Sequence, residues 1–137
     1  MNLDDVAGEV QDALKSIGGL RVPEWGVDRV VPPTAIVTLP ERIEYDHTKM
    51  RGFDRYVDLQ VIILLARGNT RTTRAELAEF VAGSGPRSVK AVLDGWTYTS
   101  LDTMRVISAE PQVVTFADVP YEAMIFHTDI TGRGAAA

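Results

Sequence analysis

Tyr56-Val57-Asp58-Leu59-Gln60-Val61-Ile62-Ile63-Leu64-Leu65-Ala66 is the stretch on which the fold turns. Val57, Leu59, Val61, Ile63 and Leu65 recur with a period of two, which places them on one face of a strand. The opposite face begins polar, at Asp58 and Gln60, and ends apolar, at Ile62 and Leu64. A sheet covered on one side needs only the first set. The second pair therefore predicts either a further covering layer or contact with another subunit.

Upstream of this strand, Leu3, Val6, Ala7, Val10, Ala13, Leu14 and Ile17 recur at three- and four-residue spacing, the signature of a helix with one apolar stripe. Asn2 can cap it, Asp4 and Asp5 suit its dipole, and Gly18-Gly19 stops it. Residues 20–33 hold four breakers, Pro23, Gly26, Pro32 and Pro33, and read as an irregular connection in which Trp25 plugs the edge of the core. Residues 34–39 are β-rich, with Ala35, Val37 and Leu39 on one face. Pro40 marks an edge position or a bulge ahead of Ile43 and Tyr45. Residues 46–55 are polar, contain Gly52, and read as a hairpin loop or an extended arm.

Downstream, residues 67–71 form a turn with Gly68-Asn69. Thr73-x-x-Glu76 then has the capping-box spacing ahead of Ala75, Leu77, Ala78, Phe80 and Val81. After Gly83-Ser84-Gly85-Pro86 a short helix over residues 88–94 turns Val89, Val92 and Leu93 inward, with Ser84 or Ser88 as its cap and Gly95 as its stop. Two strands close the chain, residues 103–116 with an interruption at Pro111, and residues 121–130 with Met124, Phe126 and Ile130 on one face. Connections too short for most parallel crossovers favour an α+β domain. The expected architecture is a mainly antiparallel sheet of about four strands, with the N-terminal helix and one or two further helices on one face.

With 137 residues, 45% of them hydrophobic and 24% charged, the chain suits a single soluble domain ending in a disordered Ala135-Ala136-Ala137 tail. Cysteine is absent, which removes disulfide scaffolds, thiolate metal sites and cysteine nucleophiles. A net charge of -5 disfavours a broad grip on duplex nucleic acid. No apolar run is long enough to span a bilayer, so no membrane contact is expected. The acidic start, Asp4-Asp5, is unlike a signal peptide and points to the cytoplasm.

Candidate chemistry is sparse. His47 lies near Asp46, Asp54 and Asp58, a grouping that could hold a metal or reads as a solvated loop. His127 lies two residues from Asp129, as an oriented base or a surface strand pair, and no nucleophile sits in a recognisable motif nearby. The Gly83-Ser84-Gly85-Pro86-Arg87-Ser88 segment follows a helix and lacks the Gly-Lys-Ser/Thr ending of a phosphate loop. Hence no enzymatic activity, cofactor or metal is expected. Residues 67–90 carry five basic side chains (Arg67, Arg71, Arg74, Arg87, Lys90) against Glu76 and Glu79. Such a patch could bind nucleic acid or the acidic first helix of a neighbouring copy. Stacking aromatics are missing from it, which favours the second use.

Several segments together resemble tail terminator proteins of long-tailed bacteriophages. They are Ala35-Ile36-Val37, Ile43-x-Tyr45-Asp46-x-Thr48-x-x-Arg51-Gly52-x-Asp54, and the apolar strand ending near Gly68. The likeness continues through Arg74 ahead of a helix ending in Ala82-Gly83, Ser88-Val89-Lys90-Ala91-Val92-Leu93, Arg105-Val106 and Tyr121-x-Ala123, and reaches Thr131. It carries no catalytic signature. It implies a mixed sheet with helices, and a structural virion protein assembled in the host cytoplasm. Such a protein forms a homo-oligomeric ring, usually of six subunits, at the head-proximal end of the tail tube. The ring ends tube polymerisation and presents the head-joining surface. The implied partners are further copies of the chain, the tail tube protein and a head–tail connector or stopper protein, with genomic DNA passing through the lumen without sequence-specific binding. Stopper and completion proteins of the neck are similar in size and form the alternative, followed by a small nucleic-acid-binding module.

A ring of one subunit type needs two complementary surfaces on each chain. The expected interface residues are Asp4 and Asp5 on the first helix, Arg67, Arg71 and Arg74 on the basic side, and Ile62 and Leu64 on the strand. Arg51 and Arg55 belong to the polar arm of residues 46–55, expected to reach a partner without supporting the core.

Overall fold

The computed structural model describes residues 1–23, 31–45, 52–65 and 71–133. Helix α1, Leu3–Lys15, forms where the apolar stripe predicts it. Asn2 caps it by accepting a hydrogen bond from the Asp5 amide at 3.1 Å, and Val6, Ala7, Val10, Ala13 and Leu14 are buried. Gly19, at φ 79°, takes the left-handed conformation that turns the chain away.

Strands β1 (Thr34–Val37), β2 (Arg42–Glu44) and β3 (Phe53–Leu64) follow. Helices α2 (Arg71–Val81) and α3 (Val89–Gly95) then lead to the long hairpin of β4 (Thr103–Phe116) and β5 (Val119–Arg133). The sheet order is β1-β3-β5-β4, with β2 also paired to β3 and every ladder antiparallel. The α+β architecture expected from the sequence is therefore present, with a fifth strand. That strand is β2, three residues long, formed where Ile43 follows Pro40. Since β5 occupies one side of β3 along its whole length, β1 and β2 share the other side as a single edge broken between them. Thr38 and Glu41 bridge the break through amide bonds to the Gln60 and Val57 carbonyls at 3.0 and 2.9 Å. Leu39 falls in this break and is exposed, so it does not continue the Ala35–Val37 face. Because β5 lies between them, β3 and β4 run parallel, and α2 and α3 make the crossover that short connections argued against.

Tyr56, not Val57, joins the core face of β3. The cause is a bulge at Asp58, which has φ 56° and no register partner between the Val57–Asp129 and Leu59–Thr128 pairs. One extra residue reverses the inward–outward alternation. A second bulge, at Ile107 between the Val106–Thr128 and Ser108–His127 pairs, does the same to β4. Pro111 does not interrupt β4, whose register continues through its pairing with Met124. β4 is an edge strand, and an edge tolerates a residue without an amide proton.

The core joins Val6, Val10 and Leu14 of α1, Phe80 of α2, and Val89 and Leu93 of α3 to the sheet face carrying Ala35, Leu59, Val61, Ile63, Phe126 and Ile130. Thr73 lies inside α2 and is buried, so it is not the cap of that helix, while Ser88 caps α3 as expected, accepting from the Ala91 amide at 3.1 Å. Trp25, Asp46, His47, Arg51, Arg67, Gly68 and Asn69, and the tail from residue 134 onward, lie outside the described residues.

Candidate subunit interface

The outer side of α1 and the turn before β4 enclose an open groove of about 680 Å³, lined by Asp4, Asp5, Gly8, Asp12 and Thr99 among others. Glu9 closes one wall. Its carboxylate accepts the Thr99 amide at 3.0 Å and also holds the Ser100 amide and the Thr99 hydroxyl. Desolvation pushes the Glu9 carboxyl up, but the hydrogen bonds from Ser100 and Thr99 outweigh it and hold the group below its ordinary value. Asp4 and Asp5 are exposed and enter no ion pair among the described residues.

On the basic side, two cations are engaged within the chain. Arg87 bonds Glu79 at 3.1 Å and lies 4.6 Å over the Phe80 ring, and Lys90 bonds Asp94 at 2.6 Å. Arg71 and Arg74 differ. Both are exposed in the first turn of α2, neither has an ion pair among the described residues, and positive charge at a helix N-terminus opposes its dipole.

A further group of charges lies on the sheet face turned away from the helices. Arg55 is part of β3 and not of a loop, which corrects its placement in the polar arm. It grips Asp129 with two bonds, at 2.7 and 3.1 Å, and Glu44 at 3.2 Å. Asp129 is thus taken by Arg55, and His127 finds other partners. Its Nδ1 bonds Asp58 at 2.6 Å and its Nε2 bonds Glu110 at 2.8 Å, while Gln60 donates to the second Asp58 oxygen at 3.2 Å. The hydrogen bond to Asp58, opposed by desolvation and reinforced by Glu110, raises the imidazole's affinity for its proton. When the ring is protonated both nitrogens donate, and the imidazolium then braces β3, β4 and β5 with neither nitrogen free to act as a base. Sequence spacing suggested Asp129 because it counts along one strand, whereas these partners come from across the sheet through the bulge.

No protein-family model matches this chain, and no curated protein is similar to it.

The expected apolar interface pair is divided by the structure. Leu64 is fully buried within the chain, beside Ala123 and Ile125 on the same sheet face, so it offers nothing to a partner. Ile62 is half-buried. Of the other expected interface residues, Asp4, Asp5, Arg71 and Arg74 are exposed, and Arg51 and Arg67 lie outside the described residues. The sequence reading missed Gly8 and Thr99, whose place in the groove depends on α1 meeting a turn some 90 residues away.

Proposed function

We propose that this chain is a structural subunit of the tail terminator type, assembling with five further copies into a ring at the head-proximal end of a phage tail tube. In that position the ring ends tube growth, offers its other side to a head–tail connector or stopper protein, and lets DNA pass through its lumen without sequence-specific contacts. The observation that carries the reading is a pair of unlike surfaces on one chain: acidic α1, with Asp4 and Asp5 exposed, and the start of α2, with Arg71 and Arg74 exposed, none of these four in an ion pair among the described residues. α1 packs over β1 and against α3, and α2 packs on α3, which lies over β4. The two surfaces therefore stand on separate helices. A subunit with two different mutually attractive sides joins head to tail, and head-to-tail contacts close into rings when the rotation per subunit divides the circle.

Electron microscopy of the concentrated, purified chain tests this directly, together with labelling of particles that contain it. The expected image is a closed ring of six located at the junction of tail and head. A chain that forms no ring, either free or in particles, overturns the reading.

A further inference from the structure

Among the described residues, nothing packed against Gly8 explains it. It sits in the middle of α1, where glycine is a poor helix former, and a Cβ built there would meet no atom within 4 Å. No packing inside the chain requires the missing side chain. What the absence does create is a low point between Asp4 and Asp5 at one end of the groove and Asp12 at the other.

We infer that this groove is the receptor for the first turn of α2 from a second copy of the chain, with Arg71 and Arg74 entering between the aspartates over Gly8. The inference rests on the ring reading above and specifies its contact. The occupant is argued from charge. Asp4 and Asp5 are exposed anions without ion pairs among the described residues, and Arg71 and Arg74 are exposed cations in the same condition, one helical turn apart. Arg105 is also exposed, but it stands on a strand and lacks a second cation at helical spacing. Guanidinium groups suit this receptor because each can donate two parallel bonds to one carboxylate. Glu9 is held by Thr99 and Ser100 and so keeps the wall of the groove in place while its neighbours receive the arginines. Arginines at a helix N-terminus, which oppose the dipole of their own helix, gain their partners only in the assembly.

The test uses the full chain and two charge-reversed variants, Asp4→Lys with Asp5→Lys, and Arg71→Glu with Arg74→Glu. Self-association is followed by sedimentation up to millimolar concentration, and thermal melts establish that both variants remain folded. Each variant alone brings like charges together and is expected to associate at least about tenfold more weakly than wild type. An equimolar mixture restores opposite charges at every junction and is expected to assemble as wild type does, with the two variants alternating. A third variant, Gly8→Gln, fills the low point with a good helix former. It is expected to melt no lower than wild type and to associate more weakly. Rings that form equally well from either reversed variant alone, or folded variants whose mixture fails to assemble, overturn the groove contact and leave the ring reading standing. A wild-type chain that stays monomeric throughout overturns the groove contact, and the ring reading falls with it only where particles containing the chain also show no ring.

Discussion

Arg55 stands between Asp129 and Glu44 with its side chain 27% exposed, so its charge is partly shielded from water and geometrically fixed. Arg55→Glu would place a third carboxylate against two. A thermal melt is expected to fall by roughly 5 °C or more, given that about 1 kcal/mol shifts a domain of this size by a few degrees. Arg105→Gln, at an exposed side chain with no ion pair among the described residues, is expected to leave the melt unchanged. His127 carries a pH signature. Its proton is held more tightly in the folded chain than at its ordinary value of 6.5, so its contribution to stability is complete below that pH and is lost as the pH rises through the raised folded value. A neutral imidazole can donate to only one of Asp58 and Glu110. The melting temperature of wild type relative to His127→Gln is therefore expected to decline from pH 6 to pH 9, and a constant difference would count against the imidazolium bridge. At this scale the sequence was legible where a side chain acts along its own element, as with Asn2 and Ser88. It was illegible where partners come from other strands, as with Arg55 and His127, because a one-residue bulge decides which of them meet.

α2 is the least embedded of the helices, held chiefly by α3 and by the buried side chains of Thr73 and Phe80. Phe80→Ala is expected to cost about 3–5 kcal/mol. Because so little else anchors the helix, far-ultraviolet circular dichroism should lose the signal of roughly its 11 residues well before the sheet melts. A single cooperative transition in that variant would show that α2 is tied to the core more widely than its burial indicates. α1 and α3 were legible because apolar spacing and capping residues agree in both. The start of α2 was not, since Thr73-x-x-Glu76 satisfies a capping pattern while the burial of Thr73 draws that residue into the helix. β2 was hidden for a different reason. Three residues are too few to show a period, and only pairing with β3 makes them a strand.

For the whole molecule, the apolar pattern of one strand was enough to indicate a sheet with its helices on one side, and the doubled pattern splits into Leu64, buried within the chain, and Ile62, half-buried. The charged surfaces were also legible as composition, but the groove was not, because it is made by two segments far apart in the chain. One feature of the sheet has a mechanical side. The break around Pro40, the bulge at Asp58, Thr128 and the bulge at Ile107 are neighbours across successive strands, so the irregularities form one row. Bulges bend and twist a sheet locally and leave its ladder incomplete. A row of them is a crease, a line along which two stiff plates can flex while each keeps its own shape. Deuterium is expected to enter the amides along that line ahead of those of Val61 to Ile63 on one plate and Ile130 on the other. In the proposed ring, such a crease would let the plate that carries the tip of the β4–β5 hairpin tilt against whatever it meets while the other plate keeps its place.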